Sequence, residues 1–477
     1  MHSSHCEEFY IDGRWTAPQS RTTGKVLNPF DESTVAEIAL GSRADIDLAV
    51  AAARKAFPSY AQTSASDRRA LLQRILEQIE TRADDIASAL SQEMGAPISL
   101  ARGPQFGTGV THIKTMIDVI ENYSFSKVHG NSLIVKEPIG VCGLIAPWNW
   151  PIGLVLAKVV GAIAAGCTMV LKPSEICPLN SLIIAEVLHD AGVPPGVFNL
   201  VNGDGANTGA ALAAHPDVDM VTFTGSTRAG IEIAKLAAPT VKRVHQELGG
   251  KSANLLLDDD GFAQAVADGV RRCFINSGQV CTAPSRMLVP ADRMDEAAKI
   301  AGETANSMRV GNPADESVEI GPVANETQLG AIRRYIKIGE KEGARLVTGG
   351  ADLPQGFNQG YFVQPTVFAD VTPEMTIARE EIFGPVLSLI AYQDEDHAIE
   401  IANGTVYGLA AYVSSTDLER ARNVAAQLRA GLVPINYAIT DLSTPFGGYK
   451  QSGNGRENGV SGLEGFLETK TISGYGG

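Results

Sequence analysis

Residues 139–175 read IGVCGLIAPWNWPIGLVLAKVVGAIAAGCTMVLKPSE, and this stretch decides the fold. Its two outer apolar runs, IGVCGLIA and TMVLKP, are typical of buried strands. The segment between them, extended to Leu171, approaches the length of a membrane span. However, Lys158 lies inside it, glycines and a proline interrupt it, and Asn149 and Lys172 flank it. We therefore predict a buried helix followed by a buried strand, and we exclude a membrane span.

The same alternation of strands and helices continues downstream, which predicts βαβ units and a parallel sheet. A second series begins after residue 250 and runs to about residue 435, so we expect a second α/β domain. The further predicted strands are VFNLVNG (197–203), DMVTFTGS (219–226), VKRVHQEL (241–248), SANLLLDD (252–259) and RMLVP (286–290). The predicted helices between them cover 178–192, 207–214, 227–237 and 261–275.

Two helices are predicted upstream, over 43–58 and 66–93, because apolar residues recur there every three or four positions. Ser66 and Asp67 are placed to cap the second helix, and Gly95 follows its end. An N-terminal helical layer is therefore expected.

Composition narrows the function classes. The chain has 477 residues, enough for two or three domains, and its net charge is −15, with 54 acidic against 39 basic residues. That charge opposes binding to nucleic acids or anionic membranes. The six cysteines form no C-x-x-C pair and no His/Cys cluster, so we expect no metal site, no disulfide framework and a cytoplasmic location.

Ligands of open parallel sheets bind beyond the carboxyl ends of the strands. Several polar or glycine residues fall there in the predicted topology: Asn149, Lys172, Glu175, Gly225, Ser226 and Glu247. FTGST (223–227) ends a strand and opens a helix, so its backbone N–H groups are placed to meet a pyrophosphate. The chain has no G-x-G-x-x-G motif at such a position, and GDGANTG (203–209) is only a partial match.

Three residues are candidates for catalysis, each with a structural alternative. Cys281 in NSGQVCT follows a predicted helix through a glycine-containing loop, although a free cysteine is usually a small buried hydrophobe. Glu247 precedes a Gly-Gly turn and is suited to act as a general base, or is a solvated strand-end glutamate. Asn149 in PWNWP offers an amide donor for an oxyanion, or forms a turn between prolines.

Seven motifs occur in the order and spacing found in the aldehyde dehydrogenase superfamily, and through these motifs the chain resembles that family. The N-terminal FYIDGRW is also similar, so the resemblance covers nearly the whole chain. Residues 147–453 contain the seven motifs, which are PWNWP, LKPSE, FTGST, ELGGKS, GQVC, EEIFGPV and PFGGYKQSG.

The resemblance implies a catalytic role for each of the three candidates. Cys281 matches the nucleophile that adds to the aldehyde carbon and later carries a thioester. The amide of Asn149 and the backbone N–H of Cys281 match the groups that hold the oxyanion. Glu247 matches the base that activates water for thioester hydrolysis. Relatives that transfer the acyl group to coenzyme A lack this glutamate, so a free carboxylic acid is the expected product.

The resemblance also implies NAD as cofactor, because a carboxylate beside the ribose repels a 2′-phosphate; a rotated glutamate still admits NADP. The implied cofactor residues are Lys172 and Glu175 (adenosine ribose), Gly225 and Ser226 (pyrophosphate), Glu381 and Phe383 (nicotinamide ribose and ring), and Trp148 with Lys158. The residues that the resemblance places at or near the substrate tunnel are Trp150, Leu154, Ala157, Ile275 and Tyr437. Their apolar or aromatic nature predicts a medium-sized, uncharged aldehyde.

The implied architecture has three parts. A Rossmann-like NAD-binding domain covers 1–119 and 138–249, an α/β catalytic domain covers 250–449, and a small β oligomerisation element covers 120–137 and 465–477. The resemblance predicts a homodimer or homotetramer. Two other functions stay open: a dehydrogenase that acylates coenzyme A, and a non-catalytic binding or structural protein on the same fold.

Overall fold

The structure is a computed structural model that describes residues 3–476. Its strands are β1 Phe9–Ile11, β2 Arg14–Thr16, β3 Thr23–Leu27, β4 Thr34–Ala39, β5 Ser126–His129, β6 Ser132–Pro138, β7 Val141–Ile145, β8 Thr168–Lys172, β9 Phe198–Leu200, β10 Met220–Thr224, β11 Arg243–Glu247, β12 Ala253–Leu256, β13 Arg286–Pro290, β14 Arg345–Thr348, β15 Thr366–Ala369, β16 Val386–Tyr392, β17 Ala411–Ser414, β18 Gly453–Asn454 and β19 Leu467–Ser473.

The α-helices between these strands are α1 Arg43–Tyr60, α2 Ala65–Thr81, α3 Ala83–Met94, α4 Ile98–Leu100, α5 Phe106–Asn122, α6 Pro151–Ala165, α7 Leu179–Asp190, α8 Ala210–Ala214, α9 Thr227–Ala237, α10 Phe262–Phe274, α11 Met294–Ser307, α12 Glu326–Glu342, α13 Thr376–Arg379, α14 Glu395–Asn403, α15 Leu418–Ala425 and α16 Gly459–Glu464.

The first sheet has the strand order β18-β11-β10-β7-β8-β9-β1-β2. Strands β7 to β11 pair in parallel, whereas β18, β1 and β2 add antiparallel edges. Helices cover both faces: α6 and α7 pack with Leu144 and Leu171 on one side, and α1, α8 and α9 pack with Val141 and Val221 on the other. Such a doubly covered sheet presents the carboxyl ends of its central strands at one common edge.

The second sheet has the order β14-β15-β16-β13-β12-β17, with parallel pairing except at the β14 edge. Helices α10 and α11 pack against one face through a core that includes Met287 and Leu387. Helices α12, α14 and α15 pack against the other face with Leu288. The predicted fold class, two α/β units with parallel sheets, is confirmed.

A small third sheet, β19-β6-β5, joins the C-terminal strand to a hairpin. Strands β6 and β19 pair antiparallel from Leu467↔Pro138 to Ser473↔Ser132, and β5 forms the outer edge. The hairpin begins later than the oligomerisation element predicted over 120–137, because α5 continues to Asn122. Met1, His2 and Gly477, at the ends of the predicted parts, lie outside the described residues.

The apolar segment after Asn149 is a buried helix and a buried strand, as predicted. Pro151 occupies the first turn of α6, and Gly166 ends the helix with a left-handed φ of 90°. Every residue of α6 is buried except Leu154 and Ala157, which lie three positions apart on one face. No helix within residues 3–476 has the length and apolarity required to cross a membrane.

The single helix predicted over 66–93 is wrong, because the chain breaks at Arg82 into α2 and α3. The predicted caps are also displaced. Ser64, rather than Ser66, is the N-cap: its hydroxyl accepts from the Asp67 N–H at 3.1 Å, and the Asp67 carboxylate accepts from the Ser64 N–H at 3.2 Å. Gly95 ends α3 with a left-handed φ of 77°.

Candidate active site

The carboxyl edge of the first sheet gathers the residues predicted there. Lys172 and Glu247 are the last residues of β8 and β11, and Gly225 follows β10 directly. Asn149 lies in the short connection from β7 to α6 and is 5% exposed. Because β7, β8, β10 and β11 are parallel, these residues share one edge.

The ammonium of Lys172 is buried at this edge. Its Nζ donates to the Gly203 carbonyl at 2.7 Å and lies 3.3 Å from Oε2 of Glu175, whose side chain is 41% exposed. Burial lowers the pKa of Lys172, which the neighbouring Glu175 carboxylate opposes. A fixed donor therefore lies beside a solvent-facing acceptor, the pair of groups that suits two adjacent hydroxyls.

Helix α9 begins at this edge with Ser226 as its N-cap, and the Ser226 hydroxyl accepts from the Ala229 N–H at 3.3 Å. The first N–H groups of a helix lack intrahelical partners and attract anions. Gly225 precedes the cap, and a Cβ on it would lie 2.5 Å from the Phe223 ring. Gly225 therefore cannot be replaced by a larger residue without moving Phe223.

Cys281 follows α10 through a strained loop. Asn276, Ser277 and Gly278 have left-handed φ values of 54°, 56° and 72°. A Cβ on Gly278 would lie 2.1 Å from the Gly384 carbonyl oxygen, so only glycine fits there. Conformations of this kind persist only where the surroundings hold them, and they concentrate at functional sites.

Asn149 and Gln279 join the two sheets at this loop. The Asn149 side-chain amide donates to the Gln279 carbonyl at 3.0 Å, and the Asn276 amide donates to the Asn149 carbonyl at 2.8 Å. The side chain of Gln279 in turn accepts from the Ala324 N–H at 2.9 Å. The structure thus fixes the Asn149 amide on the carbonyl of Gln279, which precedes Cys281 by two residues in the chain, and leaves its second N–H for another acceptor.

The environment of Cys281 favours the neutral thiol. Burial, followed by the carboxyl groups of Glu381 and Glu247, raises the pKa of Cys281 to about 12. The residue is nevertheless partly exposed, unlike Cys142, Cys167 and the other fully buried cysteines. A base must therefore remove the thiol proton before the sulfur can act as a nucleophile.

Glu247 is 3% exposed, and its Oε2 has no protein partner among the described residues. Burial, with the charge of Glu457, raises the pKa of Glu247 well above its ordinary value, while Lys158 and Arg456 oppose the rise. A carboxyl group with a raised pKa and a free oxygen is suited to general acid–base work.

Glu381 and Phe383 precede β16 and face the first sheet. Oε1 of Glu381 accepts from the Gly250 N–H at 2.9 Å, and a Cβ on Gly249 would lie 2.3 Å from Oε2. Because Gly249 has no Cβ, the Glu381 carboxyl fits against the Gly-Gly turn. Burial raises the pKa of Glu381 to about 7. Phe383 has a left-handed φ of 58° and contacts the Trp148 ring edge-on at 5.4 Å between centroids.

The predicted substrate residues come from three separate segments of the chain. Trp150 precedes α6, on which Leu154 and Ala157 are the two positions that are not buried, and Ile275 follows α10. Tyr437 lies against the second sheet, where its hydroxyl donates to the Ala265 carbonyl at 2.8 Å. The described contacts do not bring Tyr437 to Trp150.

Sequence reasoning missed His245 and Glu457, two of the buried polar residues close to Glu247. Lys158, assigned to the cofactor side by resemblance, donates to the Thr224 hydroxyl at 2.7 Å and forms an ion pair with Glu457. His245 lies 3.5 Å from Glu247. Alternation along β11 could have found His245, since residues two apart in a strand share a face. No cluster of three potential metal ligands occurs in residues 3–476.

The fold combines two α/β units that contain parallel sheets with a cysteine-bearing loop beside them, and comparison with known proteins gives the family. The model of the aldehyde dehydrogenase family matches residues 15–472. A 3-succinoylsemialdehyde-pyridine dehydrogenase from a Pseudomonas species is 52% identical over 471 residues, covering 98% of this chain and 99% of the relative. The chain therefore belongs to the aldehyde dehydrogenase family, and the predictions of the family and of an oxidoreductase are confirmed.

Solved structures agree. Aldehyde dehydrogenase C from Pseudomonas syringae, a cysteine-to-alanine mutant in complex with NAD+ and octanal, is 53% identical with a TM-score of 0.99; the match covers 100% of this chain and 98% of that one. A Mycobacterium tuberculosis aldehyde dehydrogenase complexed with NAD+ is 39% identical with a TM-score of 0.95, and 98% of each chain is covered.

Proposed function

We propose that this enzyme oxidises a medium-sized, uncharged aldehyde to the free carboxylic acid with NAD. The observation that carries the proposal is the hydrogen bond from the Asn149 amide to the Gln279 carbonyl, because it ties an amide donor to the loop that contains Cys281. A nucleophile and an oxyanion donor held together are what addition to a carbonyl requires.

In the first step, Glu247 takes the proton of the Cys281 thiol, and the sulfur adds to the aldehyde carbon. The Asn149 amide and the Cys281 N–H hold the resulting oxyanion. Both groups are set by the backbone of the loop, so little reorganisation accompanies the reaction. Expulsion of hydride from the adduct leaves a thioester on Cys281.

NAD fits the residues at the edge of the first sheet. Lys172 and Glu175 would hold the adenosine ribose, the start of α9 at Ser226 the pyrophosphate, and Glu381 the nicotinamide ribose. When bound, NAD supplies a hydride acceptor. The exposed carboxylate of Glu175 disfavours a 2′-phosphate, so NAD is preferred and NADP is admitted where that side chain rotates away.

Glu247 then releases the thiol proton to solvent and serves as the base for water that hydrolyses the thioester. Its partner-free oxygen and raised pKa suit this second role. The glutamate also separates this function from the coenzyme A-acylating alternative, in which a second substrate rather than water takes the acyl group.

The two positions of α6 that are not buried, Leu154 and Ala157, offer an apolar lining to the substrate. Apolar lining favours an uncharged aldehyde of medium size. The octanal bound by the Pseudomonas syringae relative has this character.

The domain boundaries given above, homo-oligomerisation through β5, β6 and β19, and a cytoplasmic location are parts of the same proposal. The exposed side chains of β5 and of most of β19 support an interface there. Light scattering at micromolar concentration is expected to give a dimer or tetramer; a monomer contradicts the proposed assembly.

The test is a panel of aldehydes assayed with NAD and with NADP at equal concentration, in the presence and absence of coenzyme A. We expect NADH formation without coenzyme A and a loss of activity of about a thousandfold or more in Cys281→Ala, with NAD binding retained. Activity that requires coenzyme A supports the acylating alternative. Absence of turnover across the panel supports a non-catalytic protein.

A further inference from the structure

His245 and Glu247 form a buried pair on one face of β11. Their side chains point to the same side because residues two apart in a strand do so. Nε2 of His245 lies 3.5 Å from Oε1 of Glu247, and the two residues are 5% and 3% exposed. Oε2 of Glu247 has no hydrogen-bond partner within residues 3–476. The side chain that contacts this carboxyl group is therefore the imidazole of His245, through Oε1.

Glycine backbone holds both side chains in place. A Cβ on Gly455 would lie 2.4 Å from Cδ2 of His245, so the ring packs directly on the backbone. A Cβ on Gly447 would lie 2.7 Å from Oε1 of Glu247, so this oxygen is enclosed between Gly447 and the imidazole. The protein therefore holds the carboxyl group of Glu247 through Oε1, while Oε2 has no partner among the described residues.

The charges around the pair come from α6 and from the segment between β18 and α16. Lys158 on α6 pairs with Glu457 and donates to Thr224 on β10, so those charges compensate one another. Arg456 also faces the pair, and its NH1 donates to the carbonyls of Gly448 and Gly455. The carboxyl of Glu247 consequently has no cation of its own.

The remaining neighbours of the pair are titratable groups. His112 on α5 faces the Lys158–Glu457 pair, and the thiol of Cys281 faces Glu247. Burial, helped by Lys158 and Arg456 and opposed by Glu457, lowers the pKa of His245 to about 4. The imidazole is therefore neutral near pH 7, where its nitrogen can accept a hydrogen bond from a protonated carboxyl.

We propose that His245 is a positioning residue that holds the carboxyl of Glu247 after it has taken the proton of the Cys281 thiol, with Nε2 accepting a hydrogen bond from the Oε1 hydroxyl. To serve as base for the hydrolytic water, the carboxyl must lose its proton and leave this partner. His245 therefore sets the pH at which thioester hydrolysis begins. This inference rests on the proposed function, in which Glu247 activates the water.

The experiment measures hydrolysis alone. The enzyme is loaded with the best aldehyde of the panel and excess NAD at low pH, where hydrolysis is slow. The pH is then raised in a rapid-mixing device, and loss of the acyl group is followed by intact-protein mass spectrometry. The rate constant is recorded against the final pH for the wild type and the variants.

In His245→Phe the protonated carboxyl loses its acceptor, so its deprotonation becomes easier. We expect the acid limb of the hydrolysis profile to move to lower pH by about one unit, corresponding to a tenfold change in the protonation equilibrium. His245→Gln retains a carbonyl acceptor, so we expect its profile to return towards that of the wild type. His245→Met, which lacks an imidazole acceptor and is flexible, gives the same test if phenylalanine does not fit against Gly455.

The matched control is His112→Phe, because His112 is also buried and faces Glu457 and Lys158. We expect its acid limb to match that of the wild type. An unchanged limb in His245→Phe, or a shift to higher pH, overturns the proposal; the second result means that the imidazole stabilises the ionised carboxylate. Undiminished hydrolysis in Glu247→Gln instead refutes the proposed role of Glu247, so the two failures are distinguishable.

Discussion

The two sheets contribute residues of the candidate active site from opposite ends of their strands. In the first sheet, Asn149, Lys172 and Glu247 lie at or beyond the carboxyl ends of β7, β8 and β11. In the second sheet, Cys281 lies before the amino end of β13, and Glu381 lies before that of β16. One sheet therefore follows the general rule for parallel sheets, whereas the other contributes residues through the loops that enter its strands.

The two sheets therefore contribute different kinds of structural feature to the candidate site. The first sheet presents helix starts and strand ends, which suit phosphate and ribose groups. The second presents loops with left-handed residues such as Ser277 and Phe383, and these loops carry the proposed nucleophile and the proposed cofactor contact. Four variants test whether this division is real.

The largest effect is expected at the contact between the sheets. Asn149→Ala removes the proposed oxyanion donor together with its hydrogen bond to the Gln279 carbonyl. We expect kcat to fall about 10²- to 10³-fold with little change in the KM for NAD. Steady-state kinetics measures both values. A fall in NAD affinity with kcat unchanged would place Asn149 on the cofactor side instead.

A smaller loss is expected in the entering loop of the second sheet. Gly278→Ala places a Cβ 2.1 Å from the Gly384 carbonyl oxygen at a φ of 72°. We expect the free energy of unfolding to fall by about 2 kcal/mol or more, with reduced activity. Gly330→Ala is the control: this glycine lies in α12 with nothing near its Cβ position, so that variant is expected to be no less stable. Chemical denaturation compares the two.

The next test concerns the strand ends of the first sheet. Glu175→Ala removes the solvent-facing carboxylate beside Lys172. We expect the preference for NAD over NADP, measured as the ratio of kcat/KM values, to fall about tenfold. The activity with NAD at saturation is expected to stay near that of the wild type. An unchanged ratio would mean that another group excludes the 2′-phosphate.

The smallest effect is a pH-dependent stability at Glu381. Burial raises the pKa of Glu381 to about 7 in the folded protein, above its unfolded value of about 4.5. Its protonated form is thus favoured on folding, and this contribution is lost as the pH rises through about 7. Glu381→Gln keeps an acceptor for the Gly250 N–H, so we expect its Tm relative to wild type to increase by a few degrees between low and high pH. Parallel melting curves that keep a constant difference would contradict this.

Much of the first sheet could be predicted from the sequence, because its strands and helices alternate plainly and polar residues end the strands. The roles of Cys281 and Glu381 depended on resemblance, since no general rule assigns function to loops that enter strands. The contact from Asn149 to Gln279 spans 130 residues, so no local pattern reveals it. The break at Arg82 was missed for a related reason: no proline or glycine marks it, and packing of α2 and α3 decides it.

Helix α6 constrains how the enzyme can change. All of its residues are enclosed by other side chains except Leu154 and Ala157. A larger or smaller residue elsewhere on this helix creates overlap or a cavity, at a cost of about 1–5 kcal/mol. Natural variation or engineering can therefore change Leu154 and Ala157, the two positions proposed to line the substrate site, at a smaller cost to folding than the rest of the helix.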